Sequence, residues 1–343
     1  MSTRARVIVV GASAGGVPSL QALVAGLPAD LDAAVFVVLH IGQYSTSNLA
    51  RILERHGPLR AAHARDGEEI RRGRIYVASP DHHLLVEGSR VLVKRGPKEN
   101  RFRPSIDALF RSAAYTHKEM AIGIILSGLL NDGTSGLWSI KRFGGTAIVQ
   151  DPAEAAVDSM PRAALDEVEV DYVLPAAEIG SLVARLVQEP VSAAVQVPQE
   201  VSERMETEVA LSRAENAFQR GILRFGERTA FTCPECHGAL SMIVEGPISR
   251  FRCHTGHGFT ADALLSGIAE TTEEALWNAT RALEEGTMLL DSMAQQLEEA
   301  GKPDDAARFR QSAREAEQRA KDLQRHATEH NLTDRSGSIE RAG

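Results

Sequence analysis

Apolar runs of strand length alternate with helical periodicity along the first half of the chain. Residues 7–10 are apolar and β-branched, and after a turn of small residues the apolar positions recur at helical spacing over 17–27. Further runs typical of buried strands cover 33–39 and 121–126. Because strands that alternate with helices usually form a parallel sheet covered on both faces, the pattern predicts a doubly wound, mainly parallel α/β fold.

The second half of the chain has a different character. A polar helix is predicted over about 201–225, and helical periodicity returns after a segment that contains cysteines and histidines. Thr271-Thr272-Glu273-Glu274 offers a capping box, and Gly301-Lys302-Pro303 breaks the apolar stripe, so two antiparallel helices are expected. The predicted segments are an α/β domain (1–188), a linker (189–200), a helix with a small Cys/His module (201–262), a helical hairpin (263–330) and a disordered tail (331–343).

Composition and charge narrow the class of protein. The chain has 343 residues, of which 43% are hydrophobic and 24% charged, and its formal net charge is −8. This charge argues against non-specific binding of nucleic acid. No apolar stretch reaches membrane-spanning length and no signal peptide is recognised, so a cytoplasmic protein that is not inserted in a membrane is expected.

The turn after the first strand reads Gly11-Ala12-Ser13-Ala14-Gly15. Such a turn fits an exposed serine nucleophile, a phosphate-binding loop for a dinucleotide, or a plain strand-to-helix connection. The following strand ends in His40, where a dinucleotide site would place an acidic residue for the ribose. That histidine disfavours the dinucleotide interpretation and offers a general base.

Two more polar residues follow strands of the predicted sheet. His40 ends the second run, and Asp132 comes shortly after the run 121–126. Each has an ordinary explanation, since a lone histidine often starts a loop and Asn131-Asp132-Gly133 is a good turn. Because parallel strands end at one edge of the sheet, Ser13, His40 and Asp132 together nevertheless indicate a candidate catalytic triad.

Several segments in order resemble the CheB-type protein-glutamate methylesterases of bacterial chemotaxis. The resemblance covers roughly residues 5–188, and beyond it lies a C-terminal Cys/His module. The segments that carry it are Gly11-Ala12-Ser13-Ala14-Gly15-Gly16, the strand ending in His40, Gly73-Arg74-Ile75-Tyr76-Val77-Ala78, Pro80-Asp81-His82-His83, 101–110, Leu126-Ser127-Gly128, Asn131-Asp132-Gly133, Gln150-Asp151-Pro152 and Met160-Pro161-Arg162.

The resemblance implies the roles of the site residues. Ser13 would be the nucleophile, His40 the base and acid, and Asp132 the group that orients His40. The backbone amides of Ala14 and Leu129 would stabilise the oxyanion. The reaction would be hydrolysis of a glutamate methyl ester on a methyl-accepting chemotaxis receptor or related sensor, with glutamine deamidation as a close variant and no cofactor for catalysis.

The chain departs from the family pattern in places. Ala14 stands where threonine is familiar, Leu130 where glycine is common, and Ile41-Gly42 follow the histidine. None of these changes removes a catalytic group. Because the resemblance begins at about residue 5, no receiver domain is expected before it, and control would come from the C-terminal part or from a regulatory signalling protein.

Arg101 and Arg103 precede a predicted amphipathic helix. They fit two interpretations, a grip on acidic receptor surface or solvated arginines near a helix start. His82 and His83 follow a Pro-Asp turn and are expected at the surface or at the rim of the site.

All three cysteines lie within one short segment. Cys233, Cys236, Cys253 and His257 have the composition of a four-ligand structural zinc site, which predicts a zinc-ribbon-like module. His254 and His237 are alternatives for the fourth ligand, and a metal-free hairpin is the simpler interpretation. Receiver-less members of the family show a similar pattern.

Two classes of function remain open on the sequence. The first is the esterase described above. The second is a non-catalytic or reassigned protein of the same fold, which acts as a binding or scaffold module in a signalling complex. Homodimerisation through the C-terminal helices is compatible with both.

Overall fold

The computed structural model describes residues 6–42, 44, 46–191 and 194–329, so the predicted tail 331–343 lies outside the described residues. The chain divides into two compact units, Met1–Ala263 and Leu264–Gly343. The first unit contains one large sheet, one smaller sheet and a two-stranded hairpin.

The large sheet consists of seven strands, which are β1 (Arg6–Ala12), β2 (Ala33–Leu39), β3 (Arg60–His63), β4 (Arg74–Val77), β7 (Ala121–Ile125), β8 (Thr146–Gln150) and β9 (Tyr172–Leu174). All are parallel, and they lie in the order β3-β4-β2-β1-β7-β8-β9. The central strands β1, β2 and β7 are almost completely buried, which agrees with their continuous apolar sequences. The predicted parallel α/β architecture is therefore confirmed.

Helices cover both faces of the sheet. Alternate residues of β1 point to opposite sides, so Ile8 packs with one group of helices and Val9 with the other. One face is covered by α1 (Gly16–Ala25), α2 (Leu49–His56) and α6 (Ala176–Gln188). The other face is covered by α3 (Ile106–His117), α4 (Thr134–Arg142) and α5 (Ser159–Glu167), with the hairpin β5 (His83–Glu87) and β6 (Arg90–Lys94) beside α3.

The remainder of the first unit is a helix and a four-stranded antiparallel sheet. Helix α7 (Gln199–Ser212) ends well before the predicted residue 225, and a short 3-10 turn follows at Ile222–Phe225. The prediction of one continuous helix over 201–225 is therefore wrong about where the helix ends. The sheet, here called the C-terminal sheet, consists of β10 (Glu227–Thr232), β11 (Ala239–Glu245), β12 (Ile248–Cys253) and β13 (Gly258–Thr260).

The second unit contains two helices, α8 (Ala261–Glu299), which begins just before the unit boundary, and α9 (Pro303–Glu329). The capping box predicted at Thr271-Thr272-Glu273-Glu274 is wrong, because α8 runs through it. The hydroxyl groups of Thr271 and Thr272 instead donate to helix carbonyls four residues earlier. Among the described residues, we find no helix with both the length and the apolar character needed to cross a membrane.

A buried cluster of charges joins α3, α7 and the C-terminal sheet. Arg252 donates to Glu208, and its guanidinium lies 3.1 Å from the Glu99 carboxylate. Arg250 lies 2.8 Å from the other Glu208 oxygen, and Arg111 donates to Glu99. Burial opposes ionisation of Glu208, but Arg250, Arg252 and Arg111 outweigh it and lower the pKa of this carboxyl to about 2. The charges are therefore mutually compensated, and each depends on the others.

We predict that Arg252→Met destabilises the first unit strongly, because it leaves Glu99 and Glu208 as undercompensated buried charges. Breaking a buried ion pair from one side costs about 3–5 kcal/mol. The matched control is Arg185→Met on α6, whose pair with Glu189 is exposed and is expected to contribute about 1 kcal/mol or less. The free energy of unfolding in urea measures both changes, and equal losses for the two variants would contradict the prediction.

Candidate active site

Ser13 follows directly after the carboxyl end of β1. Its amide donates to the Ser127 carbonyl at 2.9 Å, and its carbonyl accepts from the Gly16 amide, also at 2.9 Å, where α1 begins. Gly15 between them has φ +70°, and a Cβ there would lie only 2.7 Å from the Ala156 Cβ. A glycine is therefore required at this point for the sharp turn that presents the serine.

Ser13, His40 and Asp132 lie together at the carboxyl edge of three adjacent strands, β1, β2 and β7. The Ser13 Oγ is 3.2 Å from the His40 Nδ1, and the His40 Nε2 is 2.8 Å from the Asp132 Oδ2. The imidazole stacks on the Phe102 ring at 3.8 Å between centroids and 6° between planes. The sequence-predicted triad residues are thus brought into one hydrogen-bonded line.

The Asp132 carboxylate sits at the N-terminus of α3. Its Oδ2 accepts the Ile106 amide at 2.7 Å, and its Oδ1 accepts the Asp107 amide at 3.3 Å. Ser105 Oγ and Asn100 Nδ2 donate to the same Oδ1 at 3.0 and 2.8 Å. The carboxylate therefore does for α3 what an N-cap side chain does, and the helix dipole favours its negative charge.

These donors decide the charge of Asp132. Burial alone would raise the pKa of its carboxyl, but the hydrogen bonds from His40, Asn100 and Ile106 outweigh burial and lower the pKa to about 2. An ionised carboxylate only accepts hydrogen bonds, so the ring proton of His40 lies on Nε2. The Nδ1 lone pair is then left to accept the Ser13 hydroxyl proton.

Asp107 makes the reciprocal contact. Its Oδ1 accepts the Gly133 and Gly136 amides at 3.1 and 2.6 Å, at the start of α4. Burial and the nearby Asp132 charge raise the pKa of Asp107 to about 8. Of the two neighbouring carboxyls, Asp132 is therefore the one held as an anion. Asp132 thus caps the helix that contains Asp107, and Asp107 caps the helix that follows Asp132.

A pocket of about 460 Å³ opens in front of Ser13 and His40. Arg101 and Arg103 both line it, as does Lys98, which the sequence analysis did not single out. Arg103 is held by Asp81, with Nε 2.8 Å from Oδ1, and by the Gly96 carbonyl at 2.7 Å. Asp81 lines the pocket as well, so the positive charge of this wall is partly compensated, and Arg103 is fixed by contacts within the protein.

The two amides predicted for the oxyanion lie on the turns beside Ser13. Within the described part of the chain, neither the Ala14 amide nor the Leu129 amide donates to another protein group. Leu130 has φ +61°, the left-handed conformation that glycine adopts most easily. Leu130 therefore holds this turn in a backbone conformation that costs a residue other than glycine free energy.

Sequence reasoning missed part of the site. His83, expected at the surface or rim, is fully buried, and burial lowers its pKa to about 4. Its Nε2–H donates to the Pro97 carbonyl, and its Nδ1 accepts the Ser105 amide at 3.3 Å. Ser105 is a typical N-cap residue before an apolar helix, a signal that could have been read. Asn100 lies on a loop and carries no such signal.

Cys233, Cys236, Cys253 and His257 form a compact cluster at one end of the C-terminal sheet. Their ligand atoms all lie within 4.8 Å of one another, with Cys236 Sγ 3.6 Å from Cys253 Sγ and His257 Nδ1 3.6 Å from Cys253 Sγ. Zn–S bonds of about 2.3 Å in a tetrahedron place two sulfurs ~3.8 Å apart, so the donor set fits zinc. The alternatives His237 and His254 are not in this cluster.

The fold and this geometry define a class of protein, namely one with the Ser-His-Asp arrangement of a serine hydrolase on an open parallel α/β sheet. The chain order Ser, His, Asp differs from that of the α/β-hydrolases and of both large serine protease groups. A family model described as CheB methylesterase matches residues 8–183. The chain belongs to the CheB methylesterase family.

Individual relatives agree with this assignment. A relative from Leptospira interrogans is 41% identical over 182 residues, which are 53% of this chain and 94% of the relative. A relative from Anaeromyxobacter dehalogenans, named protein-glutamate methylesterase/protein-glutamine glutaminase 3, is 43% identical over 173 residues. That alignment covers 50% of this chain and 51% of the relative, so the chain spans about half the length of this relative.

One solved structure gives the same result. The crystal structure of the Thermotoga maritima CheB methylesterase catalytic domain is 34% identical in sequence, with a TM-score of 0.52. The match covers all of that domain and 54% of this chain. The family model, at residues 8–183, covers the strands of the large parallel sheet and its helices, the last of them in part.

We predict that the stabilisation contributed by the Asp132 charge is lost in acid. The pKa of Asp132 is lower in the folded protein than in an unfolded chain, where the pKa of an aspartate is about 3.9. The contribution is therefore complete above that value and disappears as the pH falls toward about 2. The difference in unfolding free energy between the wild type and Asp132→Asn should shrink over this range. A difference in unfolding free energy that stays constant over this pH range would refute the prediction.

Proposed function

We propose that this protein is a protein-glutamate methylesterase and that Ser13, His40 and Asp132 carry out the hydrolysis. The observation that carries the proposal is the continuous line from Ser13 Oγ through His40 to the Asp132 carboxylate, with separations of 3.2 and 2.8 Å. Relatives that bear the name protein-glutamate methylesterase/protein-glutamine glutaminase support the choice of reaction.

The geometry suits acyl transfer from a glutamyl methyl ester. As Ser13 Oγ attacks the ester carbonyl carbon, its proton passes to His40 Nδ1, and the carbonyl oxygen becomes an oxyanion. Asp132 stabilises the imidazolium that forms. His40 then gives the proton to the departing methoxy oxygen, methanol leaves, and Ser13 carries the glutamyl group as an ester.

Water completes the cycle by the reverse sequence. His40 takes a proton from the attacking water, the tetrahedral intermediate collapses, and Ser13 is released with its proton restored. The amides of Ala14 and Leu129, which have no other acceptor among the described residues, are the proposed oxyanion donors. The same steps with ammonia as the leaving group would deamidate a glutamine.

The proposed substrate is a methyl-accepting chemotaxis receptor or a related sensor, in the cytoplasm. Lys98, Arg101 and Arg103 on the pocket wall suit an acidic segment around the methylated glutamate. The three cysteines form no disulfide bond, which is in keeping with a reducing compartment. A second signalling protein is the proposed regulator. The comparisons give no support to the alternative of a non-catalytic scaffold.

We predict that Ser13→Ala abolishes methanol release from receptor membranes carrying labelled methyl esters, lowering kcat by about a thousandfold or more. Ser181→Ala is the matched control, because its hydroxyl lies on the exposed part of α6 and contacts only the Glu178 carbonyl. Wild-type turnover that survives in Ser13→Ala would exclude Ser13 as the nucleophile. Absence of turnover in the wild type, with receptor and regulator supplied, would refute the esterase.

We also propose that the Cys/His cluster binds one structural zinc ion. Three cysteines and one histidine satisfy a tetrahedral ion completely, so the metal would stabilise the fold rather than bind substrate. The Thr255 hydroxyl, 2.9 Å from Cys253 Sγ, adds a hydrogen bond to a coordinating sulfur.

Purified protein should hold about one zinc per chain. His257→Ala should lose most of it, whereas His254→Ala should retain it, because only His257 lies in the cluster. Elemental analysis after gel filtration measures the metal. If the His257 variant retains zinc and the His254 variant loses it, the fourth ligand is His254 and not His257. A wild-type protein without zinc would refute the site.

A homodimer through the C-terminal helices is a further proposal. Helix α8 exposes several large apolar side chains, which are Trp277, Met288, Leu289 and Met293. An apolar surface of this kind supports association of helices from two copies.

A further inference from the structure

Residues 98–100 are clamped by strand β13 of the C-terminal sheet. The Gly258 amide donates to the Lys98 carbonyl at 3.2 Å, and the Gly258 carbonyl accepts the Asn100 amide at 2.7 Å. Glu99, between them, is held by the buried guanidinium of Arg252. The C-terminal sheet therefore fixes this loop at Lys98, at Asn100 and at the Glu99 side chain between them.

The Asn100 side chain connects this clamp to the catalytic acid. One Nδ2 hydrogen is donated to Asp132 Oδ1 at 2.8 Å and the other to Asp107 Oδ2 at 2.9 Å. The Asn100 Oδ1 accepts the Thr260 amide at 2.8 Å. The side chain is buried, and these three bonds use both of its hydrogens and its oxygen.

The Thr260 amide helps to fix which way the Asn100 amide group points. The Asn100 Nδ2 contacts both Asp132 and Asp107, so an amide rotated by 180° would place its oxygen against the ionised Asp132 carboxylate. Among the residues that the structure describes, only the Thr260 N–H gives the Asn100 oxygen a partner on the opposite side. Removing that N–H would leave the oxygen unpaired in a buried site and weaken the preference for the productive orientation.

We propose that strand β13 belongs to the active site, with Thr260 and Asn100 acting as positioning residues for Asp132. The Thr260 amide orients Asn100, Asn100 holds the Asp132 carboxylate, and the carboxylate holds the His40 ring. The C-terminal sheet would then be needed for the triad to work at full rate, although none of its residues lines the pocket in front of Ser13. The kinetic part of this inference rests on the proposed esterase function.

Thr260→Pro and Thr260→Val form a matched pair. Both lose the hydroxyl that donates to Asn131 Oδ1 at 2.6 Å, but only proline also lacks the N–H. Thr260 is the last residue of β13 and stands before the first residue of α8, so a proline there removes no hydrogen bond of the helix. Relative to Thr260→Val, the proline variant should lower kcat by about tenfold, the change expected for one hydrogen bond to a charged network.

Asn100→Gly supplies the second half of a double-mutant cycle. Asn100 has φ +50°, which glycine adopts without strain, so this variant removes the side chain and leaves the loop conformation accessible. If Thr260 acts through Asn100, the difference between Thr260→Pro and Thr260→Val should vanish in the Asn100→Gly background. The same tenfold difference in both backgrounds would overturn the proposal.

A readout on the protein alone separates this proposal from the esterase function. The proton on His40 Nε2 that Asp132 accepts gives a downfield NMR resonance, which can be assigned by its loss in His40→Gln. Asn100→Gly and Thr260→Pro should shift or broaden this resonance, whereas Thr260→Val should leave it near its wild-type position. An unchanged resonance in Asn100→Gly would overturn the proposal whether or not receptor esters are hydrolysed.

A second variant of the clamp guards against misfolding of Thr260→Pro. A Cβ on Gly258 would lie 3.0 Å from the Arg252 guanidinium carbon, so Gly258→Ala should displace β13 slightly. Its effect on the resonance should be smaller than that of Asn100→Gly and should disappear in the Asn100→Gly background. If Gly258→Ala shifts the resonance equally in the Asn100→Gly background, β13 does not act through Asn100, and the proposal is overturned.

Discussion

The carboxylate of Asp132 at the start of α3 is the interaction on which the site depends. Buried and surrounded by N–H and O–H donors, it is held as an anion, and that charge fixes the proton of His40 on the ring nitrogen facing away from Ser13. Asp107 makes the converse contact at the start of α4. The Asp132 and Asp107 carboxyl groups thus connect α3 and α4 to the loops that carry the site. The backbone amides that donate to these two groups hold the catalytic residues in position.

Much of this arrangement follows from local sequence patterns. Ser13, His40 and Asp132 each come after an apolar run, and parallel strands bring such positions to one edge of the sheet, so their proximity could be predicted from spacing alone. Asn100 could not be found in this way. It lies on a loop without periodicity, and its partner Thr260 is 160 residues away in the chain. Contacts of this kind depend on the tertiary fold, which local patterns do not report.

The buried charges illustrate a second limit. Arg250 and Arg252 alternate along β12 in a pattern that normally indicates a solvated face, yet both are almost completely buried. Their partner Glu208 lies on a helix whose sequence is polar overall, so nothing local distinguishes it from a surface residue. The prediction that a helix begins at Thr271-Thr272-Glu273-Glu274 is wrong for a related reason. Helix α8 already begins at Ala261, so these four residues lie in its interior.

The capping role of Asp132 changes what its presence in a sequence means. Catalytic residues are often a burden on stability, so a protein that no longer needs its chemistry tends to lose them. Asp132 also anchors α3, and its replacement would be opposed even in a descendant that only binds its partner. Retention of this aspartate among relatives is therefore weak evidence of activity. Ser13 and His40, which cap no helix, are the residues whose loss would mark a member that has abandoned hydrolysis.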